Sequence, residues 1–406
     1  MDITLRPVTQ PELADFRRAT GIAFGNVGND DDFAWGPGLD VERSLAGFDG
    51  DQIVATAAAL SFELTVPGHA LVPTAGVTMV GVHPTHRRRG LLVRMMEEQL
   101  ADVAARSEPL AVLTASETAI YGRFGYGLAT FSSFWSLRTE GTTFARPGTA
   151  GGQYRLLDPA TALTVIPPIY DAARRQRVGE VTRSAQWFEH TFGNRPDGKP
   201  RRSFTLVHEA DDGHADGFAR YRVKDDWPGG IAANTVEVDD LFALDPEVET
   251  GLWQFLVDID LVATVRGINR PMDESVRWRL AAPRRLQVDQ VTDHLWVRVV
   301  DPAVALAART YSSDDRLVIE LTDPFLPANE GRWSIAGSGD GAEVRRTDAD
   351  ADLALSAPEL GALYLGGVSA ATLQRADRID ELVPGAIERA DRFFSSTPAP
   401  WCSTDF

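Results

Sequence analysis

The pattern of apolar and polar positions in the first third of the chain predicts a mixed α/β module. Residues 53–60 and 77–82 read as strands, with a shorter one at 64–66. Residues 91–105 place apolar side chains at helical spacing, suited to packing on a sheet. A strand at 110–115 and a short helix at 118–124 follow, and the run Arg146-Pro147-Gly148-Thr149-Ala150-Gly151-Gly152 marks a linker.

The middle third has the same outline. Residues 236–242 are strand-like, Pro246 follows, and Gly251-Leu252-Trp253 opens an apolar helix expected to reach about residue 265. This echo predicts an internal repeat. The last third differs. It reads as a strand at 294–300, a helix at 303–309, and strands at 316–322, 332–336 and 353–356, with a turn at 337–341. A helix at 360–364, a turn at Gly366-Gly367 and a helix at 370–373 follow.

A length of 406 residues predicts two or three domains, and 44% apolar with 24% charged residues is ordinary for a globular protein. No stretch approaches the ~18 to 20 apolar residues of a membrane span. The start of the chain lacks a basic-then-apolar export pattern. The one cysteine, Cys402, excludes an internal disulfide and argues against a cysteine metal cluster. A reducing, cytoplasmic setting is the expectation. A net charge of −18 disfavours a nucleic-acid partner and would attract cationic amines such as polyamines; it would equally serve solubility alone.

The most informative segment runs Val80-Gly81-Val82-His83-Pro84-Thr85-His86-Arg87-Arg88-Arg89-Gly90-Leu91-Leu92. A strand stops at proline, three arginines and a glycine follow, and a helix begins. The unpaired N–H groups and positive dipole end of a helix start suit a diphosphate. Gly90 lets backbone come close to a ligand, and the arginines add field and contacts. The segment is neither a Walker loop nor a dinucleotide fingerprint, since no Gly-Lys-Ser/Thr and only one glycine follow the strand. A solvated basic helix start is the competing reading. The second copy carries Asp245, Glu247 and Glu249 at the equivalent place, which would repel a diphosphate, so a structural role is expected for it. His83 and His86 lack a third ligand and sit among arginines, so no metal site is expected.

Arg87, Arg88, Arg89 and Gly90 resemble the acetyl-CoA pyrophosphate loop of GCN5-related N-acetyltransferases, with Leu92 where a small residue is usual. Downstream, Ile120-Tyr121-Gly122-Arg123-Phe124-Gly125-Tyr126-Gly127 is similar to the last motif of that family. There the first tyrosine protonates the departing thiolate, a role suited to a phenol of pKa ≈ 10. That role falls to Tyr121, and Tyr126 falls on the core aromatic. The Leu363-Tyr364-Leu365-Gly366-Gly367 run is similar to sterol-carrier-like domains, with either an apolar lipid pocket or a plain packed core.

Taken together, the chain resembles the enhanced intracellular survival (Eis) family over nearly its full length. The resemblance implies an α+β, mixed α/β fold: an active acetyltransferase domain (1–146), a degenerate copy (147–290) and a sterol-carrier-like domain (291–406). It implies an acetyl-CoA-dependent N-acetyltransferase acting on primary amines of cationic small molecules or lysines, as a homohexamer. A non-catalytic acyl-CoA or lipid-binding module is the alternative. By the same resemblance, Val80, Gly81 and Val82 pair with the pantetheine arm, and Arg88, Arg89, Gly90, Leu91, Leu92 and Val93 meet the diphosphate. Ser116 and Glu117 stand at the neighbouring strand end, although Ser116 could equally cap a helix. The carboxylate of Phe406 is the implied base, with Asp405 beside it. An α-carboxylate is a weak base, so burial or a relaying water must assist it. On the acceptor side, Phe24, Phe33 and Trp35 with Asp30, Asp31 and Asp32 would form an aromatic and acidic wall, or a solvated loop.

Overall fold

A computed structural model describes residues 3–26, 38–194 and 202–406. In chain order the first elements are β1 (Thr4–Arg6), α1 (Leu13–Ala23), β2 (Ser44–Asp49), β3 (Gln52–Thr65), β4 (Leu71–Val82), α2 (Leu91–Ala105), β5 (Leu110–Thr114), α3 (Thr118–Tyr121) and β6 (Gly127–Leu128). Next come β7 (Phe131–Arg138), β8 (Gln153–Leu157), α4 (Pro159–Arg174), α5 (Ala185–Phe192), β9 (Phe204–Glu209), β10 (Ala215–Lys224) and β11 (Asn234–Ala243). These lead to α6 (Pro246–Val257), β12 (Val262–Arg270), α7 (Val276–Arg279) and β13 (Leu286–Asp293). The last part holds β14 (Leu295–Val299), α8 (Pro302–Ala307), β15 (Asp315–Thr322), β16 (Gly331–Ser338), β17 (Gly341–Arg346) and β18 (Leu353–Ser356). It ends with α9 (Ala357–Tyr364), α10 (Ala370–Arg375), β19 (Ile379–Glu381) and α11 (Ala386–Phe394).

Three sheets result, ordered β1-β2-β3-β4-β5-β14-β6, β13-β7-β12-β11-β10-β9-β8 and β17-β16-β15-β18-β19. The chain forms two units: residues 1–130, 294–400 and 404–406 make one, and residues 131–293 and 401–403 the other. The sheets do not follow linear cuts at 146 and 290. β7 lies in the second sheet, and β14 inserts in the first between β5 and β6. Such pairings are long-range, and local periodicity does not encode them.

In the first unit, alternation along β3 puts Ala58 on one face and Ala57 and Ala59 on the other. Phe16 and Ala19 of α1 pack with Ala58 and Met79. Met96, Leu100 and Val103 of α2 pack with Ala59, Ala75, Val77 and Ala111. Each of the larger side chains among them, such as Phe16, Met96, Leu100 and Val103, contributes about 1.5–3 kcal/mol when fully buried. β3 is one strand rather than two, because Ser61 and Glu63 alternate with Phe62 instead of interrupting it. β14 is joined to the third part by an ion pair of Arg298 and Asp323 at 2.8 Å, both buried. In the third part, the buried Arg309 donates to the carbonyl oxygens of Tyr364 and Phe394 and lies over the Tyr311 ring.

In the second unit, Trp253 of α6 meets Trp135 of β7 with ring centroids 4.9 Å apart, within a core that includes Val236, Val238 and Val265. The helix expected to reach residue 265 stops at Val257. Asp258 and Asp260 disfavour continuation, Leu261 takes φ +67°, and the β-branched Val262, Thr264 and Val265 begin β12.

Candidate active site

The site begins with a fault in β4. Thr56 pairs with Gly81 but Ala58 with Thr78, so β4 carries one extra residue there. Met79 absorbs it at φ +54°, and the Thr56 hydroxyl donates to the Met79 carbonyl at 2.8 Å. On its other edge, β4 pairs in parallel with β5 from Thr74↔Leu110 to Gly76↔Val112, and the ladder ends there. Val80, Gly81 and Val82 therefore line the gap that follows, a cleft of about 780 Å³.

The start of α2 closes one side of this cleft. Gly90 is its N-cap at φ +78°, a conformation that favours glycine. A side chain there would meet no protein atom and would project into open space. Leu91, Leu92 and Val93, whose N–H groups lack intrahelical partners, line the cleft with Arg88. That end of the helix presents partial positive charge to the cleft. The three arginines diverge. Arg88 faces the cleft at φ +63°, while Arg89 is exposed and is not among the lining residues. Arg87 lines the cleft but is tied down, donating to the carbonyls of Ala23 at 3.0 Å and Val82 at 3.2 Å. The Thr85 hydroxyl stands 2.8 Å from Nδ1 of both His83 and His86, and His86 Nε2 lies 3.1 Å from Asp49.

Ser116, Glu117 and Tyr121 come to the cleft from the end of β5 and from α3. Ser116 does not cap that helix: the N-cap is Glu117, which makes no side-chain capping bond. Tyr121 is 8% exposed. Its hydroxyl is pushed up to about 12 by burial and, secondarily, by the Glu117 charge, so it is held protonated. Its ring stands edge-on to Tyr126 with centroids 6.0 Å apart. Tyr126 is wholly buried in the core and burial raises its pKa as well. Gly125, at φ +84°, ends the intervening turn beneath the Arg298 guanidinium.

Phe406 does not line the cleft. It packs edge-on against Phe62 at 4.9 Å, and its backbone oxygen accepts from the hydroxyl of Thr114, the last residue of β5. Asp405 is exposed, 3.8 Å from His294 Nε2. Phe24 is 48% exposed and lines the cleft with Ile22, Ala23 and Gly25. Phe33, Trp35, Asp30, Asp31 and Asp32 lie outside the described residues.

Sequence reasoning missed the contribution of α1 and the roles of Thr114 and Phe62. One signal was available in Gly81, where a Cβ would come within 2.6 Å of Ala23 Cβ, so α1 packs against bare backbone. In the second copy the start of α6 is filled by the protein's own carboxylates. Asp245 accepts from the Glu247 N–H at 2.7 Å, and Glu247 accepts from Thr149 and Arg279.

Comparison with known proteins matches the acetyltransferase (GNAT) domain at residues 4–129, a second acetyltransferase (GNAT) domain at 179–299 and a sterol carrier protein domain at 302–403. An uncharacterized N-acetyltransferase of Streptomyces avermitilis is 43% identical over 390 residues, covering 95% of each chain. The N-acetyltransferase Eis of Mycobacterium tuberculosis is 33% identical over 369 residues, covering 88% of this chain and 87% of that protein. The crystal structure of Eis1 from Mycobacterium abscessus superposes with a TM-score of 0.89 at 34% identity, covering 100% of both chains.

Proposed function

Because the chain belongs to the Eis family of GNAT N-acetyltransferases, we propose that it moves acetyl from acetyl-CoA to a primary amine. The acceptor class is a cationic small molecule, polyamine- or aminoglycoside-like, or a lysine side chain. One observation carries the reading: the β4–β5 ladder stops at Gly76↔Val112, and the resulting cleft is faced by an open helix start and by Tyr121. The exposed backbone of Val80, Gly81 and Val82 suits an amide-bearing pantetheine arm. Arg88, Gly90, Leu91, Leu92 and Val93 suit the diphosphate, with the exposed Arg89 adding positive charge beside them. Ser116 and Glu117 complete the strand-end wall.

Transfer is direct. The amine nitrogen attacks the thioester carbonyl and loses a proton to the Phe406 carboxylate, directly or through a relaying water, since that group stands outside the cleft lining. The carbon–sulfur bond breaks, and Tyr121 gives its proton to the departing thiolate. Donation from Thr114 at 3.1 Å fixes the carboxyl group of Phe406 for that task. No metal takes part in this scheme. We assign the enzyme to the cytoplasm and to a homohexamer on family grounds; no helix among the described residues is long and apolar enough to cross a membrane.

Thiol release from acetyl-CoA, measured against a panel of polyamines, aminoglycosides and lysine peptides, tests the proposal. Turnover with at least one amine class is expected. Binding of acetyl-CoA without turnover on any amine would favour the alternative, a non-catalytic acyl-CoA-binding module.

A further inference from the structure

The second acetyltransferase copy also has a strand pair that separates. The parallel ladder of β11 and β12 runs from Asn234↔Val262 to Val238↔Gly267. Beyond it lie Asp240 and Phe242 on β11, and Asn269 and Arg270 on β12. This place is occupied by the protein itself. The Trp401 ring lies 5.7 Å from that of Phe242, with the Arg270 guanidinium 5.0 Å from its centroid. Its indole N–H donates to the Asn269 carbonyl at 3.2 Å, and its backbone N–H donates to Val178 at 2.9 Å. Gly179, at φ +96°, leaves room for this backbone, because a Cβ there would sit 2.8 Å from the Trp401 carbonyl oxygen.

Ser403 is held by its backbone and its side chain. Its N–H donates to Glu180 at 3.0 Å, its hydroxyl accepts from Arg183 at 2.8 Å, and its carbonyl accepts from Asn269 at 3.3 Å. Arg183 also pairs with Asp240 at 2.9 Å and lies 3.8 Å over the Trp187 ring. Glu180 and Cys402 are fully buried and Trp401 is 4% exposed. A merely packed segment needs no buried carboxylate and guanidinium aimed at one serine, since desolvating both is costly and their geometry confers register more than stability.

We infer that the degenerate copy is a binding site for the chain's own Trp401–Ser403 segment, with Glu180, Arg183 and Asn269 as positioning residues for Phe406 three positions on. This rests on the reading of Phe406 as the base. The site takes a peptide with a tryptophan two residues before a serine. Where the first copy has room for a cosubstrate, the second holds the arm that carries a catalytic group.

The full-length protein supplies its own probe, because Cys402 is its one cysteine and lies inside the held segment. Labelling by a thiol reagent should be slow in the wild type. In Glu180→Gln and in Ser403→Ala it should rise about tenfold or more, as expected for local opening after a charge-assisted hydrogen bond is lost. In the same variants kcat should fall while KM for acetyl-CoA stays unchanged. Ser403→Ala removes one hydroxyl from the segment and leaves the unit's core intact, so faster labelling there reports release and not unfolding. Unchanged labelling in both variants overturns the self-binding site. Faster labelling with unaltered kcat upholds the site and overturns instead the assignment of Phe406 as base.

Discussion

The Thr114 hydroxyl donates to the backbone oxygen of Phe406 at 3.1 Å, which pins that group at the end of β5, two residues before Ser116. Moving the carboxyl group should therefore matter more than changing the ring that accompanies it. Residues added after Phe406 would displace it by ~3.3 Å or more each, beyond proton-transfer reach. Turnover should fall sharply while acetyl-CoA binding persists, with partial recovery at higher pH where more amine is unprotonated. Phe406→Leu should be milder, losing mainly the edge-on contact with Phe62. Full activity in an extended protein with its tag intact would defeat the assignment.

Tyr121→Phe should lower kcat by roughly 10²- to 10⁴-fold, the usual worth of a general acid, with acetyl-CoA affinity nearly intact. Burial pushes its hydroxyl up to about 12, so ionisation of Tyr121 should not shape the alkaline limb of the wild-type profile. Tyr126→Phe should change thermal stability more than rate. Steady-state kinetics and melting curves on the two variants separate these roles.

Gly90→Val should weaken acetyl-CoA binding. It forces a β-branched residue into φ +78° and fills space the ligand needs. A change at Gly251 is expected to act differently, because a Cβ there would strike the Tyr154 hydroxyl. Its cost should appear in the melting temperature and leave the calorimetric binding constant unaltered. Calorimetry should also find one acetyl-CoA site per chain; two equivalent sites would contradict the blocked start of α6.

Glu249 titrates above the ordinary carboxylate range because of burial and the neighbouring Glu274, against the pull of Arg270. Its folded form holds the proton more tightly than its unfolded form does. The resulting stability is present at low pH and is lost as pH rises through the folded pKa. Glu249→Gln should flatten the decline in melting temperature between about pH 5 and about pH 8 and leave the variant the more stable protein at the upper end. A slope identical to that of the wild type would remove Glu249 from the account.

The parts of the site legible in the sequence are those whose chemistry demands neighbours along the chain. The strand end, Arg87, Arg88, Gly90 and the helix start that line the cleft are near-consecutive along the chain, and Tyr121 follows one strand later. What stayed hidden depends on distant partners. Nothing around Thr114 or Phe62 indicates that Phe406 will join them, and Arg87 looks like its neighbours until Ala23 and Val82 claim it. The helix after Pro246 stops short of the expected residue 265 for a related reason. Val262, Thr264 and Val265 are apolar or β-branched in either state, and pairing with β11 decides for strand.

The placement of β14 has a consequence for how the protein is made. A ribosome releases β5 early, but the strand that pairs with it on one side, Leu295–Val299, emerges only after the whole second sheet. Until then β5 presents an unpaired edge, and β6, two residues long, has no neighbour at Trp296 and Val297 to join. The first sheet to be translated is thus completed only after the second. A nascent chain stalled before residue 295 should lack the strand that joins β5 to β6 on either side of the Tyr121 helix, and the unfinished edge is where a chaperone, or a second nascent chain, would find purchase.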